Sequence, residues 1–383
     1  MKKRRTSGAL FHFQRAGRGG CVNGKRRAVS IAVAGLAAAG FVVTASAITI
    51  EKTPFGTVTG IPVDLFTMTN DNGIVLKVTT YGGIVTSLVV PDKNGLPGDI
   101  VLGFNTLGGY TAGVMKKANS RLGAITGTCG NRPGDAGGFA TRVWEAKVVP
   151  GRYVGGVALR CVGRAVQDGV PGNLTADVIC LLTDKNELRI EYAVATDTAT
   201  ACTLAHNLFF NLGGEGSGDI LGTCVILNAG KFIPLGSAPC AAGAVKNVAG
   251  TPFDFRTPMP IGARISDDDP QLHYGNGYDH TWIIDRRNGT GLTLAATAFD
   301  HVSGRAVDVL TTETGIALSS GNFLDGTLTG KSGKPYSRRG GFCLEPGHGP
   351  DFPDKPGRRG VVLKPGRIYK STTVYKLYTR GGQ

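Results

Sequence analysis

The sequence predicts an all-β protein, a sandwich of antiparallel sheets, and three observations support this class. Short runs rich in Val, Ile and Thr recur along the chain from residue 55 onward. Turn signals separate them, and the 59 glycines are scattered without a period, which excludes a collagen-like repeat and is typical of many tight turns. Long stretches with apolar residues at three- and four-residue spacing are missing, so we expect little helix.

The N-terminal segment 1–47 is predicted to be a signal peptide, followed by one folded domain over 48–383. Two basic clusters, "KKRR" and "GKRR", precede the apolar run "AVSIAVAGLAAAGFVVTASA", which ends in small residues as a cleavage site does. The alternative interpretation is an uncleaved membrane anchor. The short length of the run argues against a membrane span and favours a cleaved leader. We expect a periplasmic or secreted protein that has no membrane contact once the leader is removed.

The predicted strands follow one another through the domain. The run "GIVLKVTTYGGIVTSLVV" over 73–90 is broken by a Gly-Gly pair, and the Asn94-Gly95 dipeptide beyond it predicts a hairpin. The run "NELRIEYAVATD" over 186–197 alternates with period two, which places its Leu, Ile and Tyr on one face and its Arg and Glu on the other. Two later segments are predicted as strand-turn-strand and as a closing strand, at 280–299 and 366–378.

Charge and cysteine content favour neither nucleic acid nor a metal. The net charge is +14, but nine Lys and Arg lie in the leader, which leaves 14 − 9 = +5 without a dense basic stripe. Seven cysteines lie outside the leader and form no C-x-x-C pair, so we interpret them as small buried apolar residues. The segment "GTLTGKS" over 326–332 has one residue too few between its glycines for a phosphate-binding loop. We therefore expect neither cofactor nor metal.

Three segments carry polar groups that a strand protein does not need for folding. Asn131 and Arg132 stand side by side in "GNRPGD", Asp279 is flanked by aromatic residues in "YGNGYDHTW", and Glu345 ends an apolar run in "GFCLEPGHGPDFP". A carboxylate at a strand end that faces a cleft can have a raised pKa and act as a general base. Carboxylates, an Arg and aromatic rings together suit a sugar. The alternative for each residue is a surface turn or a satisfied buried polar group.

From about residue 55 to the C-terminus the chain resembles the aldose 1-epimerase (galactose mutarotase) family. The resemblance rests on motifs that include "YGGIVTSLVVPDKNG", "GNR", "DKNELRIEYAVATD", "FFNLGGEGSGDIL", "GYDH", "SGNFLDG" and "CLEPGHGPD". It implies a β-supersandwich, a monomer or dimer, and interconversion of the α and β anomers of free aldohexoses such as galactose and glucose. It also implies that Glu345 is the general base and that Asp279, Arg132 and the adjacent Asn131 bind sugar hydroxyls.

Two departures from the family concern its histidines. The family has a His in a "HGG" segment after "NR", and here Ala136 stands in its place. The family also has Asn-His ahead of "FNL", whereas this chain has the reversed pair His206-Asn207. In a simple strand Asn207 would face the sugar and His206 would point away.

A β-bulge could turn His206 inward, and we expect one, with His206 as the general acid and Asn207 beside the sugar. The other candidates for the acid are His273, His280 and His348. The alternative function is a catalytically impaired relative that binds sugar without efficient turnover.

Overall fold

The computed structural model describes residues 48–112, 122–129, 138–163, 172–236, 245–286, 291–347 and 362–381. Almost all regular structure in these ranges is antiparallel strand, which confirms the all-β class. The strands are β1 (Thr49–Val58), β2 (Ile61–Thr69), β3 (Val75–Thr79), β4 (Val85–Pro91), β5 (Pro97–Asp99), β6 (Ile125–Cys129), β7 (Glu145–Val149), β8 (Val154–Gly163), β9 (Leu174–Thr183), β10 (Glu187–Thr196), β11 (Thr200–His206), β12 (Phe209–Phe210), β13 (Cys224–Leu227), β14 (Lys231–Ile233), β15 (Lys246–Asn247), β16 (Met259–Pro260), β17 (Asp279–Ile283), β18 (Thr293–Phe299), β19 (Arg305–Thr311), β20 (Gly315–Ser319), β21 (Phe342–Gly347), β22 (Val362–Leu363) and β23 (Ile368–Thr379). The helices are α1 (Leu107–Thr111), α2 (Pro270–Gly275) and two 3₁₀ turns, Phe139–Thr141 and Ile261–Ala263.

The described strands form four sheets. A nine-stranded sheet has the order β16-β13-β18-β19-β23-β10-β9-β8-β7, and a six-stranded sheet has the order β12-β21-β20-β17-β14-β15. A five-stranded meander, β1 to β5, and a small sheet of β22, β11 and β6 complete the fold.

The main core lies between the nine-stranded and the six-stranded sheets. The nine-stranded sheet contributes the fully buried side chains of Ile190 (β10) and Val309 (β19) to this core. The six-stranded sheet contributes those of Leu344 (β21) and Trp282 (β17). Tyr375 of β23 joins the two layers, since its hydroxyl donates to the carbonyl oxygen of Leu344 at 3.3 Å. Alternation of the strand side chains therefore commits one face of the six-stranded sheet to the core and leaves the other face for a site.

The predicted strands are largely confirmed, with one difference in pairing. The run 73–90 divides into β3 and β4 at the Gly-Gly pair, and β10 shows the predicted alternation of buried and less buried residues. The Asn94-Gly95 turn joins the paired strands β4 and β5. The two strands of 280–299 belong to different sheets, because β17 pairs with β14 and β20 whereas β18 pairs with β13 and β19. The segment is thus a crossover between layers.

The described residues belong to one compact unit, Ala45–Gln383. Within the described ranges, no helix is both long and apolar enough to cross a membrane. Five cysteines whose side chains are described are buried, as the sequence predicts for small apolar residues: Cys161, Cys180, Cys202, Cys224 and Cys343. The predicted signal peptide lies outside the described residues and remains a prediction.

Candidate active site

Two carboxylates lie on the face of the six-stranded sheet that points away from the core. Glu345 of β21 is opposite Ala317 of β20, and Asp279 of β17 is opposite Ser319, two residues further along β20. Directly opposed residues share a face, and so do residues two apart on one strand, so all four side chains project from the same surface. Strand spacing separates the two carboxylate-bearing Cα atoms by about 10 Å across the sheet and about 7 Å along it. The gap between them is floored by a methyl group and a small hydroxyl side chain.

Glu345 is held in place by a neighbouring sheet. The hydroxyl of Thr126 on β6 donates to its Oε1 at 2.7 Å. Burial raises the pKa of the Glu345 carboxyl, the Thr126 hydrogen bond opposes that rise, and the charge of Asp279 adds to it. The side chain keeps partial contact with solvent. Glu345 is therefore a fixed carboxylate with an affinity for protons above that of an ordinary glutamate, as a general base requires.

Asp279 stands at the open side of the same face. Its side chain is exposed to solvent, while the protein around it still desolvates the charge. This desolvation raises the pKa of Asp279, and the nearby Ser319 hydroxyl acts in the opposite direction. The backbone is fixed as well, because the Asp279 N–H donates to Nδ1 of His280 at 3.2 Å. An accessible, oriented carboxylate of this kind can accept hydrogen bonds from sugar hydroxyls.

His206 points into the core and not toward the carboxylates. Its Nε2 lies 3.0 Å from the carbonyl oxygen of Gly83, and its Nδ1 lies 2.9 Å from the hydroxyl of Tyr192. A carbonyl only accepts, so Nε2 carries the hydrogen and Nδ1 accepts from the tyrosine. The ring is 0% exposed, and burial lowers the pKa of His206 to about 4. Both nitrogens are used, so this ring has none left for a sugar.

The expected bulge is not found in the strand that carries His206. The register of β11 with β6 runs unbroken from Cys202 to His206, and our expectation of a shift is therefore wrong in this stretch. His206, Leu208 and Phe210 are all 0% exposed and lie on the core side. Phe209 lies on the opposite side, where it packs against Phe323. The strict alternation places Asn207 on the site side, as simple strand geometry predicts.

The other candidate histidines occupy different places. His280 adjoins Asp279 in sequence but lies on the core face, 1% exposed, and burial lowers its pKa to about 4. His273 is exposed on α2 near Asp268. His348 lies outside the described residues, as do Asn131, Arg132 and Ala136, so the structure places none of these four.

The structure also adds two residues that sequence reasoning missed. Thr126 holds Glu345, and Ser319 lies directly opposite Asp279 on the neighbouring strand. Thr126 lies five residues before the Asn of "GNR", and Ser319 lies in "SSGN", a segment already recognised as a departure from the family. Small hydroxyl residues on strands carry no signal of their own, and only cross-strand pairing shows what they contact.

The arrangement can perform acid–base chemistry on a neutral polyhydroxyl ligand. Glu345 is a carboxylate with a raised pKa that is held in a fixed position, and Asp279 is a carboxylate that solvent can reach. The small side chains of Ala317 and Ser319 lie between them. Among the described residues, no group of three or more His, Cys, Asp or Glu is placed to hold a metal ion. The two carboxylates themselves support proton transfer and hydrogen bonding.

Comparison with known proteins identifies the family to which the sequence is similar. The sequence model of the family "Aldose 1-epimerase" matches residues 64–376. Galactose mutarotase of Bos taurus is 31% identical over 339 residues, which cover 82% of this chain and 94% of that protein. Aldose 1-epimerase of Escherichia coli K12 is 29% identical over 354 residues, which cover 86% of this chain and 99% of that protein.

Solved structures show the same fold. A galactose 1-epimerase from Lactobacillus acidophilus NCFM superposes with a TM-score of 0.73 at 22% identity, covering 87% of this chain and 99% of that one. The supersandwich architecture is thereby confirmed. The family match spans most of the chain and includes both site carboxylates. The chain therefore belongs to the aldose 1-epimerase family.

Proposed function

We propose that the protein interconverts the α and β anomers of free aldohexoses, with galactose and glucose as substrates. The observation that carries this proposal is the pair Glu345 and Asp279 on one open sheet face, the first pinned by Thr126 and the second accessible to solvent. Desolvation by the surrounding protein raises the pKa of both carboxyl groups. The family relationship supports the same reaction, since relatives are aldose 1-epimerases and galactose mutarotases.

In the proposed mechanism Glu345 removes the proton from the anomeric hydroxyl. The electrons form the carbonyl at C1, the bond from C1 to the ring oxygen breaks, and the ring oxygen receives a proton from water. The hydroxide produced is neutralised by the proton that Glu345 carries. Rotation about the C1–C2 bond exposes the other face of the aldehyde, and the reverse steps close the ring. Asp279, with Asn131 and Arg132 as the family resemblance implies, binds hydroxyls away from C1 and sets the sugar's orientation.

A second function remains in consideration because His206 is turned into the core. A relative without a side-chain acid could bind aldohexoses and turn them over poorly. The buried, doubly hydrogen-bonded state of His206 is the specific observation that favours this alternative.

Polarimetry distinguishes the two functions. Freshly dissolved α-D-glucose and α-D-galactose should lose their excess rotation faster with the purified protein than in buffer. Glu345→Gln keeps the shape but removes the base, so the enzymatic rate should fall by about two to four orders of magnitude. A variant that retains most of its activity would require another base. Wild-type protein that binds sugar without accelerating mutarotation would favour the impaired relative.

We further propose that residues 1–47 direct export and are removed near Ala47. The basic, apolar and small-residue order of this segment supports the proposal. The intact mass of the protein from a periplasmic or culture-medium fraction should correspond to a chain that begins near Ile48. A full-length chain, or one found only in membranes, would contradict export with cleavage.

A further inference from the structure

We propose that His280 is a positioning residue for Asp279, because its imidazole accepts the Asp279 backbone N–H and thereby sets the direction in which the carboxylate meets a sugar hydroxyl. The inference rests on the proposed function. It gives a part in sugar binding to a side chain that lies on the core face of the sheet, away from the sugar. It follows from the hydrogen bonding at the start of β17.

The backbone N–H of Asp279 lies outside the regular ladder of the six-stranded sheet. On one side Asp279 is opposite Ser319 of β20, and the N–H of Ser320 donates to the carbonyl oxygen of Tyr278. This pattern makes Asp279 and Ser319 a non-hydrogen-bonded pair, so the Asp279 N–H points away from β20. On the other side, the pairing of β14 with β17 ends two residues short of Asp279. Neither neighbouring strand therefore receives this N–H.

The chain that continues beyond β14 is held by another side chain. Extension of the register would bring Leu235 opposite Asp279. The Leu235 N–H donates to the amide oxygen of Gln271 on α2, and the Leu235 carbonyl oxygen accepts from the same amide at 3.0 Å. Both backbone groups of Leu235 are thus bonded to Gln271. The imidazole of His280 supplies the acceptor instead, since its Nδ1 lies 3.2 Å from the Asp279 nitrogen.

The His280 ring is closely packed on several sides. It is 1% exposed, and three aromatic rings surround it, of which Phe253 is the nearest at 4.6 Å between ring centres and Phe232 and Trp282 are the others. A Cβ atom at Gly275 would lie 3.0 Å from Cε1 of His280, so the end of α2 also closes against the ring. This packing fixes where Nδ1 stands.

An imidazole is an unfavourable choice for packing alone at this position. Burial lowers the pKa of His280 to about 4, so the ring is neutral at neutral pH. Because Nδ1 accepts, the hydrogen of the neutral ring is on Nε2, which has no hydrogen-bond partner among the described residues. A buried donor without a partner destabilises the folded state, and an apolar side chain would avoid this loss. The imidazole therefore contributes the acceptor beside Asp279.

This hydrogen bond acts on the part of the backbone that aims the carboxylate. Asp279 is the first residue of β17, and Gly277 before it has a φ of 129°, so the strand does not hold the preceding chain. Fixing the N–H orients the peptide plane in front of the Asp279 Cα atom, and with it the Cα–Cβ bond. In the proposed mechanism Asp279 binds hydroxyls away from C1. Loss of its orientation should therefore weaken sugar binding more than it slows the chemical step.

The first test compares two substitutions of similar size by polarimetry. The side-chain oxygen of His280→Asn stands near the position of Nδ1, whereas His280→Leu has no acceptor. His280→Leu should raise KM for D-galactose about 10-fold, as expected for a weakened bond to a charged group, with a smaller change in kcat. His280→Asn should keep KM near that of the wild type. An apolar pocket favours Leu over Asn, so a purely structural role predicts the reverse order.

Urea unfolding of both variants measures the packing effect separately. His273→Leu, at an exposed histidine of α2, is the matched control and should leave KM unchanged. A wild-type KM in His280→Leu, or an equal rise in His280→Leu and His280→Asn, would overturn the proposal.

The second test needs neither turnover nor a change at His280. In ¹⁵N-labelled wild-type protein, NMR should detect a scalar coupling between the Asp279 amide nitrogen and Nδ1 of His280, transmitted through the hydrogen bond. A protonated Nδ1, or the absence of this coupling, contradicts the proposal.

A double-mutant cycle then connects the hydrogen bond to sugar binding. Titration with D-galactose, followed by NMR, should show that His280→Leu weakens binding in the wild type but has no further effect in Asp279→Ala. An equal loss in both backgrounds would show that His280 does not act through Asp279. Failure of the proposed function appears separately, as absence of mutarotation in a protein that keeps the coupling and the difference in sugar affinity.

Discussion

At the scale of single residues, the site depends on how Glu345 is stabilised. Burial raises its pKa and favours the neutral form, which cannot act as a base, whereas full hydration would leave it an ordinary, weakly basic carboxylate. The Thr126 hydroxyl donates a hydrogen bond to Oε1 of Glu345 at 2.7 Å, and this bond favours the charged form of the carboxyl group. This hydrogen bond between sheets therefore opposes the rise in pKa that burial causes.

Removing that hydroxyl should shift the pH profile of the enzyme. Thr126→Val keeps the shape of the side chain but takes away the hydrogen bond that lowers the Glu345 pKa. The ascending limb of the rate should therefore move to higher pH, while the rate on the plateau changes little. Thr126→Ser keeps the donor and serves as the control. A limb at the same pH in Thr126→Val would show that the bond does not control the base.

At the scale of elements, the segment 326–336 shows how a loop with a P-loop-like sequence serves the fold. Lys331 lies in this loop with only 10% of its side chain exposed, and its Nζ donates to Asp99 at 2.6 Å and to the carbonyl oxygen of Thr86 at 2.9 Å. Glu215 accepts from the backbone of Lys331 and from the hydroxyl of Tyr336. The loop is thereby fixed to the end of the five-stranded sheet.

Loss of the Lys331 charge should destabilise the protein without altering the chemistry of the site. Lys331→Met leaves the partly buried Asp99 without its cation, and we expect a loss of about 2 kcal/mol in the free energy of unfolding. Urea unfolding followed by intrinsic fluorescence measures this loss. Lys334→Met, in the same loop but exposed, should cost less than about 0.5 kcal/mol. Similar losses in the two variants would show that the buried ion pair has no special weight.

At the scale of the whole molecule, buried titratable groups make stability depend on pH. His206 and His280 are both buried, and burial lowers each pKa from 6.5 to about 4. Below pH 6.5 the two imidazoles of the unfolded chain therefore bind protons, whereas those of the folded protein stay neutral until the pH falls to about 4. Their contribution to stability is complete above pH 6.5 and is lost as the pH falls toward 4. Glu345 and Asp279, whose pKa values are raised, act in the opposite sense and offset part of the loss.

Urea unfolding at pH 7.5 and at pH 4.5 should therefore show a less stable protein at the lower pH. His206→Gln removes one of the two buried imidazoles and should reduce this pH dependence, although it lowers stability at pH 7.5 through imperfect packing. His273→Gln, at an exposed histidine, should leave the pH dependence as it is. An unchanged slope in His206→Gln would contradict the role assigned to the buried ring.

Much of the fold could be predicted from local pattern. Period-two alternation and glycine turns identified β3, β4, β10 and β23. Each of these strands buries one face, so apolar and polar residues alternate along its sequence. The pairing of 280–299 could not be predicted this way, since neighbouring strands in sequence can enter different layers. The resemblance of the motifs identified Glu345 and Asp279, and the structure places both on one face.

The sequence by itself determined the all-β class and the family, because these follow from short motifs and local periodicity, and it predicted the carboxylate pair from the same motifs. It also determined that Asn207, and not His206, should face the site if the strand were regular. Only the tertiary structure decided that the strand is regular, because register depends on hydrogen bonds to β6 and β21, which are distant in sequence. It likewise decided that Thr126 supports Glu345, a contact between residues 219 positions apart.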